Sequence, residues 1–312
     1  MSNYHVSVLL NEAIENLAIK PDGIYLDLTL GRAGHSSEIL RKLSARGRLI
    51  AFDKDIEAIN FSKEKLSSIS SNFTLIKDDF RNFKSHLNEM GISHVDGILL
   101  DLGVSSPQFD DISRGFSYKG DAKLDMRMDQ TATLDAYTVI NTYSLPHLTQ
   151  IFREYGEDKY AYNVAKNILK YRESKPIEST SELVEIIKSS KPQKELAKKG
   201  HPAKQIFQAI RIEVNDELGA LKAVLSDALE SLNVGGRLAI ISFHSLEDRI
   251  VKVAFKNAAV IEGSRDPLLA LNTQEPDYKL VNNHVILPSE EELAVNPRSK
   301  SAKMRVIERI KQ

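Results

Sequence analysis

The chain has 312 residues and no cysteine, which excludes disulfides, thiolate metal ligands and a cysteine nucleophile and accords with a reducing compartment. It also lacks an excess of either charge. Forty-two Lys and Arg against 43 Asp and Glu leave a formal net charge of −1, so no global field draws the protein to nucleic acid or membrane, and any polyanion site must be a local patch. No segment approaches the roughly 18 consecutive apolar residues of a membrane span, and the opening residues lack the charged and apolar regions of a leader. A soluble, cytoplasmic protein without membrane partners is the expectation. The histidines are scattered, with no H-E-x-x-H spacing and no carboxylate cluster, so no metal is expected either. Repeats and low-complexity stretches are missing too. What remains is a chain that is 42% apolar, enough to bury the core of one large or two ordinary domains.

Short apolar runs that end on a polar or acidic residue alternate with helical patterns, the mark of βαβ units around a parallel sheet. Five strands are expected, at Gly23–Asp27, Leu49–Asp53, Phe73–Ile76, Gly97–Asp101 and Arg237–Phe243. The first, second and fourth close on an aspartate. Ligands of open α/β sheets lie beyond the carboxyl ends of the strands, so these acids are expected to share one crevice. About 130 residues separate the fourth and fifth strands, far more than a crossover needs. They carry i, i+3, i+4 apolar spacing over Leu134–Asn141, Leu145–Tyr155, Lys159–Arg172, Ser181–Ser190 and Pro202–Leu232, with a start at Thr180 or Ser181. An all-helical insert over residues 111–212, flanked by the two parts of an α/β domain at 1–110 and 213–312, follows. Ser245 to Asp248 resembles a capping box opening a helix at Leu246–Asn257, and Met304–Ile310 reads as a last edge strand.

The segment "DLTLGRAGHS", Asp27 to Ser36, reads as a strand, a small-residue turn and a helix starting near Ser36. Gly31 and Gly34 permit positive φ and close backbone approach, and the helix start offers free N–H groups. The G-x-G-x-x-G dinucleotide pattern is not there, which argues against a nicotinamide dehydrogenase. Asp53, 19 residues after Gly34, is placed to accept hydrogen bonds from both ribose hydroxyls of an adenosine cofactor. Phe80 reads as core by itself; beside such a cofactor it is a candidate adenine neighbour, with Asp79 facing the exocyclic amine. Asp101 and the turn Ser105-Ser106-Pro107-Gln108 then mark where the reactive end meets a substrate. Enzymes that methylate the exocyclic amine of a base commonly carry an Asp/Asn/Ser-Pro-Pro-aromatic tetrad there, and "SSPQ" looks like a variant of it. The chemistry asks for acceptors that hold the amino N–H groups and aim a delocalised lone pair at a sulfonium some 3–3.5 Å away.

The stretches "HVSVLLNEAI", "PDGIYLDLTLGRAGHS", "DGILLDLGVSSPQFDDISRGFS", "LDMRMD", "HPAKQIFQAIRIEVNDEL", "GGRLAIISFHSLEDRIVK" and "NPRSKSAKMRVIER" together resemble the bacterial RsmH (MraW) family, in the family's order from His5 to Arg309. The resemblance implies a class I S-adenosylmethionine-dependent methyltransferase fold, Rossmann-like, with a mostly parallel seven-stranded sheet, a final antiparallel hairpin and a helical substrate-recognition insert. It implies methylation of a cytosine N4, expected at position 1402, in 16S rRNA of the small ribosomal subunit. By the same resemblance the cofactor contacts are Ala33, Gly34, His35, Asp53, Phe80, Asp101 and Gln108. Ala33 stands where the family has glycine, which demands a negative φ or a small shift. "KGDAKLDMRMD" departs from the usual entry to the insert, and Tyr143 replaces a frequent tryptophan, keeping a smaller aromatic face.

Ser105, Ser106 and Pro107, with Asp101, are the catalytic candidates. His244 joins them as a hydrogen-bond partner of a flipped cytosine, although a strand-end histidine before a helix also serves as plain structure. For RNA the candidates are Arg114, Lys123 and Arg127 around "LDMRMD", and Arg298, Lys300, Lys303 and Arg305 after Pro297. Lys188–Lys204 carries six lysines against one glutamate and reads as a solvated face. A non-catalytic ribosome assembly factor on the same fold is the alternative, and the sequence leaves open whether two copies pair as a homodimer.

Overall fold

The structure is a computed structural model that describes residues 7–260 and 276–311. The described residues of Met1–Gly103 and Leu218–Gln312 form one compact unit, and Val104–Glu217 forms a second. His5 and Val6 of the "HVSVLL" stretch, and Gln312 at the end, lie outside the described residues.

The first unit runs α1 (Leu10–Asn16), β1 (Ile24–Asp27), α2 (Gly34–Lys42), β2 (Arg48–Asp53), α3 (Ile56–Ser67), β3 (Phe73–Lys77), α4 (Phe83–Glu89) and β4 (Val95–Asp101). After the second unit it resumes with the body of α12 (Glu217–Glu230), then β5 (Leu232–Ser242), α13 (Ser245–Ala258), β6 (Tyr278–Leu280), α14 (Glu290–Val295) and β7 (Lys303–Arg309). The sheet order is β3-β2-β1-β4-β5-β7-β6, parallel except that β7 runs antiparallel to both β5 and β6. Alternation decides which side chain goes to which face. Leu26, Ile50, Phe52, Ile98, Leu100, Leu238 and Ile240 meet Phe83 and Leu87 of α4, Leu221 and Val224 of α12 and Phe255 of α13. Tyr25, Leu49, Ala51, Leu99, Ala239 and Ile241, one residue out of phase, meet Ala13 and Leu17 of α1, Ile39 and Leu40 of α2 and Leu66 of α3. Both faces are covered, which is why these strands read as continuous apolar runs. Each fully buried Leu, Ile or Phe contributes about 1.5–3 kcal/mol by removal from water.

β7 corrects one expectation. It is not an edge: β6 pairs with its outer side, Tyr278 opposite Arg309 and Leu280 opposite Ile307. A three-residue strand with exposed Lys279 and Leu280 carries too short a pattern to register in sequence.

The second unit is helical: α5 (Ser106–Asp110), α6 (Ala136–Thr142), α7 (Leu145–Glu154), α8 (Ala161–Arg172), α9 (Thr180–Ser189), α10 (Gln193–Leu196) and α11 (Lys204–Asn215). Its core is the apolar stripes themselves: Leu148, Ile151 and Phe152 of α7; Val164, Ala165 and Ile168 of α8; Leu183, Val184 and Ile187 of α9; Phe207 and Ile210 of α11. α9 begins at Thr180, one of the two expected starts, with Ser179 as the cap closing a capping box with Glu182. The apolar pattern over Pro202–Leu232 is broken at Asp216, which turns left-handed (φ 48°, ψ 42°). An Asp tolerates that conformation better than most residues. Asn215 just before it donates to Met126 O and Arg211 O (2.8 and 2.9 Å) and accepts from Met128 N (2.8 Å). The break thus lets one amide side chain clasp the "LDMRMD" segment.

Candidate active site

The chain winds β1 to β2 to β3, then returns to place β4 on the other side of β1. That reversal is a topological switch point, and the carboxyl ends of β1 and β4 flank it. β1 ends on Asp27, β4 on Asp101 and β2 on Asp53.

Asp27, buried, accepts from Ser36 Oγ (2.6 Å) and from Thr29 N (3.1 Å). Burial pushes its carboxyl up to about 6 against those two hydrogen bonds. Asp53 accepts from Gly31 N at 2.8 Å and from Asp55 N at 2.9 Å. Burial also lifts it to about 6, opposed by these backbone donors and reinforced by the charges of Asp55 and Asp27. Asp53 therefore ties the β1–α2 turn to β2. Ser62 Oγ and Lys65 Nζ on α3 add bonds to the carbonyls of Gly31 and Arg32 (2.9 and 3.0 Å).

The turn itself differs from expectation in two ways. α2 starts at Gly34, two residues before Ser36, and Ala33 sits at its N-cap with φ 53° and ψ 37°. Ala33 is thus left-handed rather than shifted to negative φ, a conformation that costs an alanine roughly 1–2 kcal/mol. Ala33 N donates to Leu30 O and Ser37 N to Ala33 O, and the side chain is fully buried, so the surrounding fold imposes the strain. Gly31 also has positive φ, at 50°, whereas Gly34 serves close approach: a Cβ there would fall 1.8 Å from Ser7 Oγ.

Asp101 N donates to Thr29 Oγ1 at 2.6 Å. Oδ1 of its carboxyl is sealed from solvent with no hydrogen-bond partner among the described residues, and Oδ2 lies 3.7 Å from His35 Nδ1. Burial first, then the like charges of Asp27, Glu247 and Glu292, raise that carboxyl well above the usual carboxylate range. His35 is buried, and its Nε2 lies 3.0 Å from Val8 O. A carbonyl only accepts, so the ring proton is on Nε2. Burial lowers His35 to about 4, against the Val8 hydrogen bond, which leaves Nδ1 bare toward Asp101.

Other candidates fall elsewhere. Asp79 is held by Arg81 (2.8 Å) and Lys54 (2.7 Å); burial pushes its carboxyl up, but these cations prevail and hold it low. Phe80 is half-buried against the core, with Lys54 Nζ 5.8 Å from its ring centre. His244, not Ser245, caps α13. It closes a capping box with Glu247, whose Oε2 accepts from Phe243 N and His244 N at 2.8 and 3.3 Å. His244 Nδ1 serves the helix start, while Nε2 is buried with no hydrogen-bond partner among the described residues and lies 3.1 Å from Glu247 Oε1. Histidine is not among the usual caps, which hid this cap in the sequence.

In the second unit, considered by itself, Ser105-Ser106-Pro107-Gln108 is the N-terminus of α5 rather than a free turn. Ser105 caps it, Pro107 occupies the first turn, and Gln108 Oε1 accepts from Ser105 N at 3.1 Å. The S-x-x-Q spacing is a capping-box signature that could have shown this. The Ser106 side chain lies outside what the structure describes. Arg114 is not presented to RNA: it is buried, and its guanidinium donates to Arg127 O and Met128 O, both at 3.0 Å. Arg127 is held by Asp125 at 2.6 Å, while Lys123 is exposed. In the first unit, Arg298 and Lys300 are exposed, but Lys303 and Arg305 both reach Asp248 (3.3 and 2.7 Å). Tyr143 stacks on His147 (4.1 Å between ring centres) and donates to Glu213 at 2.8 Å. Asp27, Glu247 and Glu292 are the acids acting on Asp101 that were not among the sequence's candidate site residues; the strand-end position of Asp27 was the available signal.

Residues 2–310 match the model of the MraW methylase family. The chain belongs to that family. It is 52% identical over 311 residues to "Ribosomal RNA small subunit methyltransferase H" of Streptococcus dysgalactiae subsp. equisimilis, covering 99% of this chain and 98% of the relative. The protein of the same name from Streptococcus pyogenes serotype M4 matches at the same identity and coverage. Among solved structures, an rRNA methylase from Streptococcus thermophilus aligns over 98% of this chain and 99% of its own, at 14% identity and a TM-score of 0.40. No helix among the described residues is long and apolar enough to cross a membrane.

Proposed function

We propose that the protein transfers a methyl group from S-adenosylmethionine to 16S rRNA of the small ribosomal subunit, at the N4 amino group of a cytosine, in the cytoplasm. Membership in a methylase family and the name shared by two relatives at 52% identity support the reaction and the substrate. One observation carries the cofactor: Asp101 Oδ1 is buried without a partner among the described residues, while Asp27, Glu247 and Glu292 press their charge on the same carboxyl. Such a site needs a donor or a cation. S-adenosylmethionine brings a sulfonium and an ammonium, whereas a nicotinamide dinucleotide would bring a pyrophosphate that these acids repel.

When bound, S-adenosylmethionine supplies a methyl carbon activated by its sulfonium. Asp53 keeps a lone pair on each oxygen beyond the N–H it already accepts, enough for ribose hydroxyls. Ala33, Gly34 and His35 form the turn under the cofactor, Phe80 flanks the adenine, and Asp101 and Gln108 serve the methionine end. Ser105, Ser106 and Pro107 are assigned to orienting the amino group. The nitrogen lone pair would take the methyl carbon, the C–S bonding pair would stay with sulfur, and the amino proton would pass to solvent. Positioning and electrostatics are sufficient, and no covalent intermediate with the protein is required. RNA contact falls to Lys123, Arg298 and Lys300.

The test is transfer of labelled methyl to small subunits, or to their RNA, from a strain lacking the gene, followed by nucleoside mass analysis. N4-methylcytidine is expected. Label on another nucleoside, or on a small molecule only, would refute the assignment, and RNA binding without transfer would favour a non-catalytic assembly factor.

A further inference from the structure

The "HVSVLL" stretch is absorbed by none of the roles above, yet its described residues, Ser7 to Leu10, lie directly on the β1–α2 turn. Ser7 Oγ fills the space that a side chain on Gly34 would occupy. Val8 O accepts the Nε2 proton of His35 at 3.0 Å. Leu9, fully buried, holds a left-handed conformation (φ 52°, ψ 37°) that a branched side chain disfavours by roughly 1–2 kcal/mol. Such a residue persists only where its surroundings over-determine it. Here the determinant comes from 283 residues away: Leu9 N donates to Glu292 Oε1 at 2.9 Å.

We propose that Glu292 of α14 is a positioning residue of the cofactor site, acting through the Ser7–Leu9 segment on His35 and thereby on Asp101. This rests on the reading of that site as the cofactor pocket. The chain of contacts is short. Glu292 fixes Leu9, the strained backbone at Leu9 aims the preceding carbonyl of Val8, and that carbonyl dictates which ring nitrogen of His35 carries the proton. His35 then turns a bare Nδ1 toward Asp101 Oδ2, 3.7 Å away. With the opposite tautomer an N–H would face Asp101 instead, and the carboxyl would be committed to histidine rather than to a ligand. A buried backbone N–H at Leu9 left without its acceptor costs about 1–3 kcal/mol, enough to release the segment.

The experiment compares wild type, Glu292→Gln and Glu292→Ala in the full-length protein. Nitrogen chemical shifts of His35 report its tautomer without cofactor, calorimetry reports the Kd for S-adenosylmethionine, and thermal unfolding confirms a cooperative fold. Glutamine retains the Oε1 acceptor, so E292Q is expected to keep the Nε2–H tautomer, and any change in its Kd reports the loss of charge beside Asp101. E292A is expected to show mixed tautomers and a Kd weakened about tenfold. If E292A does not fold, Glu292→Asp, which withdraws the oxygen by one methylene, takes its place with the same expectation. An E292A protein with wild-type tautomer and wild-type Kd would overturn the proposal. Wild type that fails to bind S-adenosylmethionine would instead overturn the reading of the pocket, and the tautomer comparison in unliganded protein would still decide the role of Glu292.

Discussion

The strand-end acids of the sheet unit and the shielded acids of the helical unit are treated in opposite ways. In the helical unit Asp158 is buried against Lys191, whose ammonium also donates to Pro202 O. Asp125 is held low by the hydrogen bonds and charge of Arg127, which prevail over burial. In the sheet unit Asp27 and Asp53 are shifted up to about 6, and Asp101 is raised further by its acidic neighbours. A fold that only needed stability would pair or replace such groups. Acids kept at internal cost are what the proposed cofactor site would draw on, the ligand supplying the missing charge.

Breaking the paired acid should have the largest effect on stability. Asp158→Ala leaves a buried ammonium uncompensated and is expected to destabilise by about 3–5 kcal/mol in denaturant unfolding, with cofactor affinity within about twofold. Asp101→Asn should do the reverse. Its amide can donate to His35 Nδ1, so at pH 8 the unliganded protein is expected to melt a few degrees higher, by roughly 1–3 kcal/mol, while S-adenosylmethionine binding weakens about 100-fold. The sign follows from linkage. A carboxyl raised in the folded state binds more protons than the unfolded chain above pH ~4, so wild-type stability falls as pH rises through its folded value. The gain from Asp101→Asn should therefore vanish near pH 4; a gain that persists there would contradict a charge origin.

Cofactor affinity should itself depend on pH. With Asp27 and Asp53 shifted to about 6, a cationic ligand meets these two acids protonated at pH 5 and ionised at pH 7.5. Calorimetry is expected to show about tenfold tighter binding at the higher pH, with proton release. The smallest effect belongs to Ala33→Gly. Relief of left-handed strain is offset by a freer unfolded chain and a lost buried methyl, so unfolding should move by no more than about 1 kcal/mol. A loss of several kcal/mol would mean that Ala33 is not strained.

Much of this was legible beforehand. Strands closing on Asp27, Asp53 and Asp101, and the apolar stripes of α7 to α9, follow from period-2 and period-3.6 patterns that burial enforces. The failures share a cause. Arg114 in an exposed-looking context is buried because two carbonyls thirteen and fourteen residues on demand its donors. His244 replaces Ser245 as a cap, and Ala33 takes a glycine's conformation, because the bonds to Glu247 and to Leu30 and Ser37, rather than residue type, fix them.

By itself the sequence determined the layered α/β architecture, the helical character of the long segment after β4 and the acids at the strand ends, since these depend on local periodicity and on which side chains water expels. Only the tertiary structure decided which acids would be neutralised by partners and which left without one. It also placed a glutamate near the C-terminus beneath a strained leucine near the N-terminus. Charge and hydrogen-bond satisfaction are properties of what meets in space, and residues 283 positions apart leave no trace of meeting in their order along the chain.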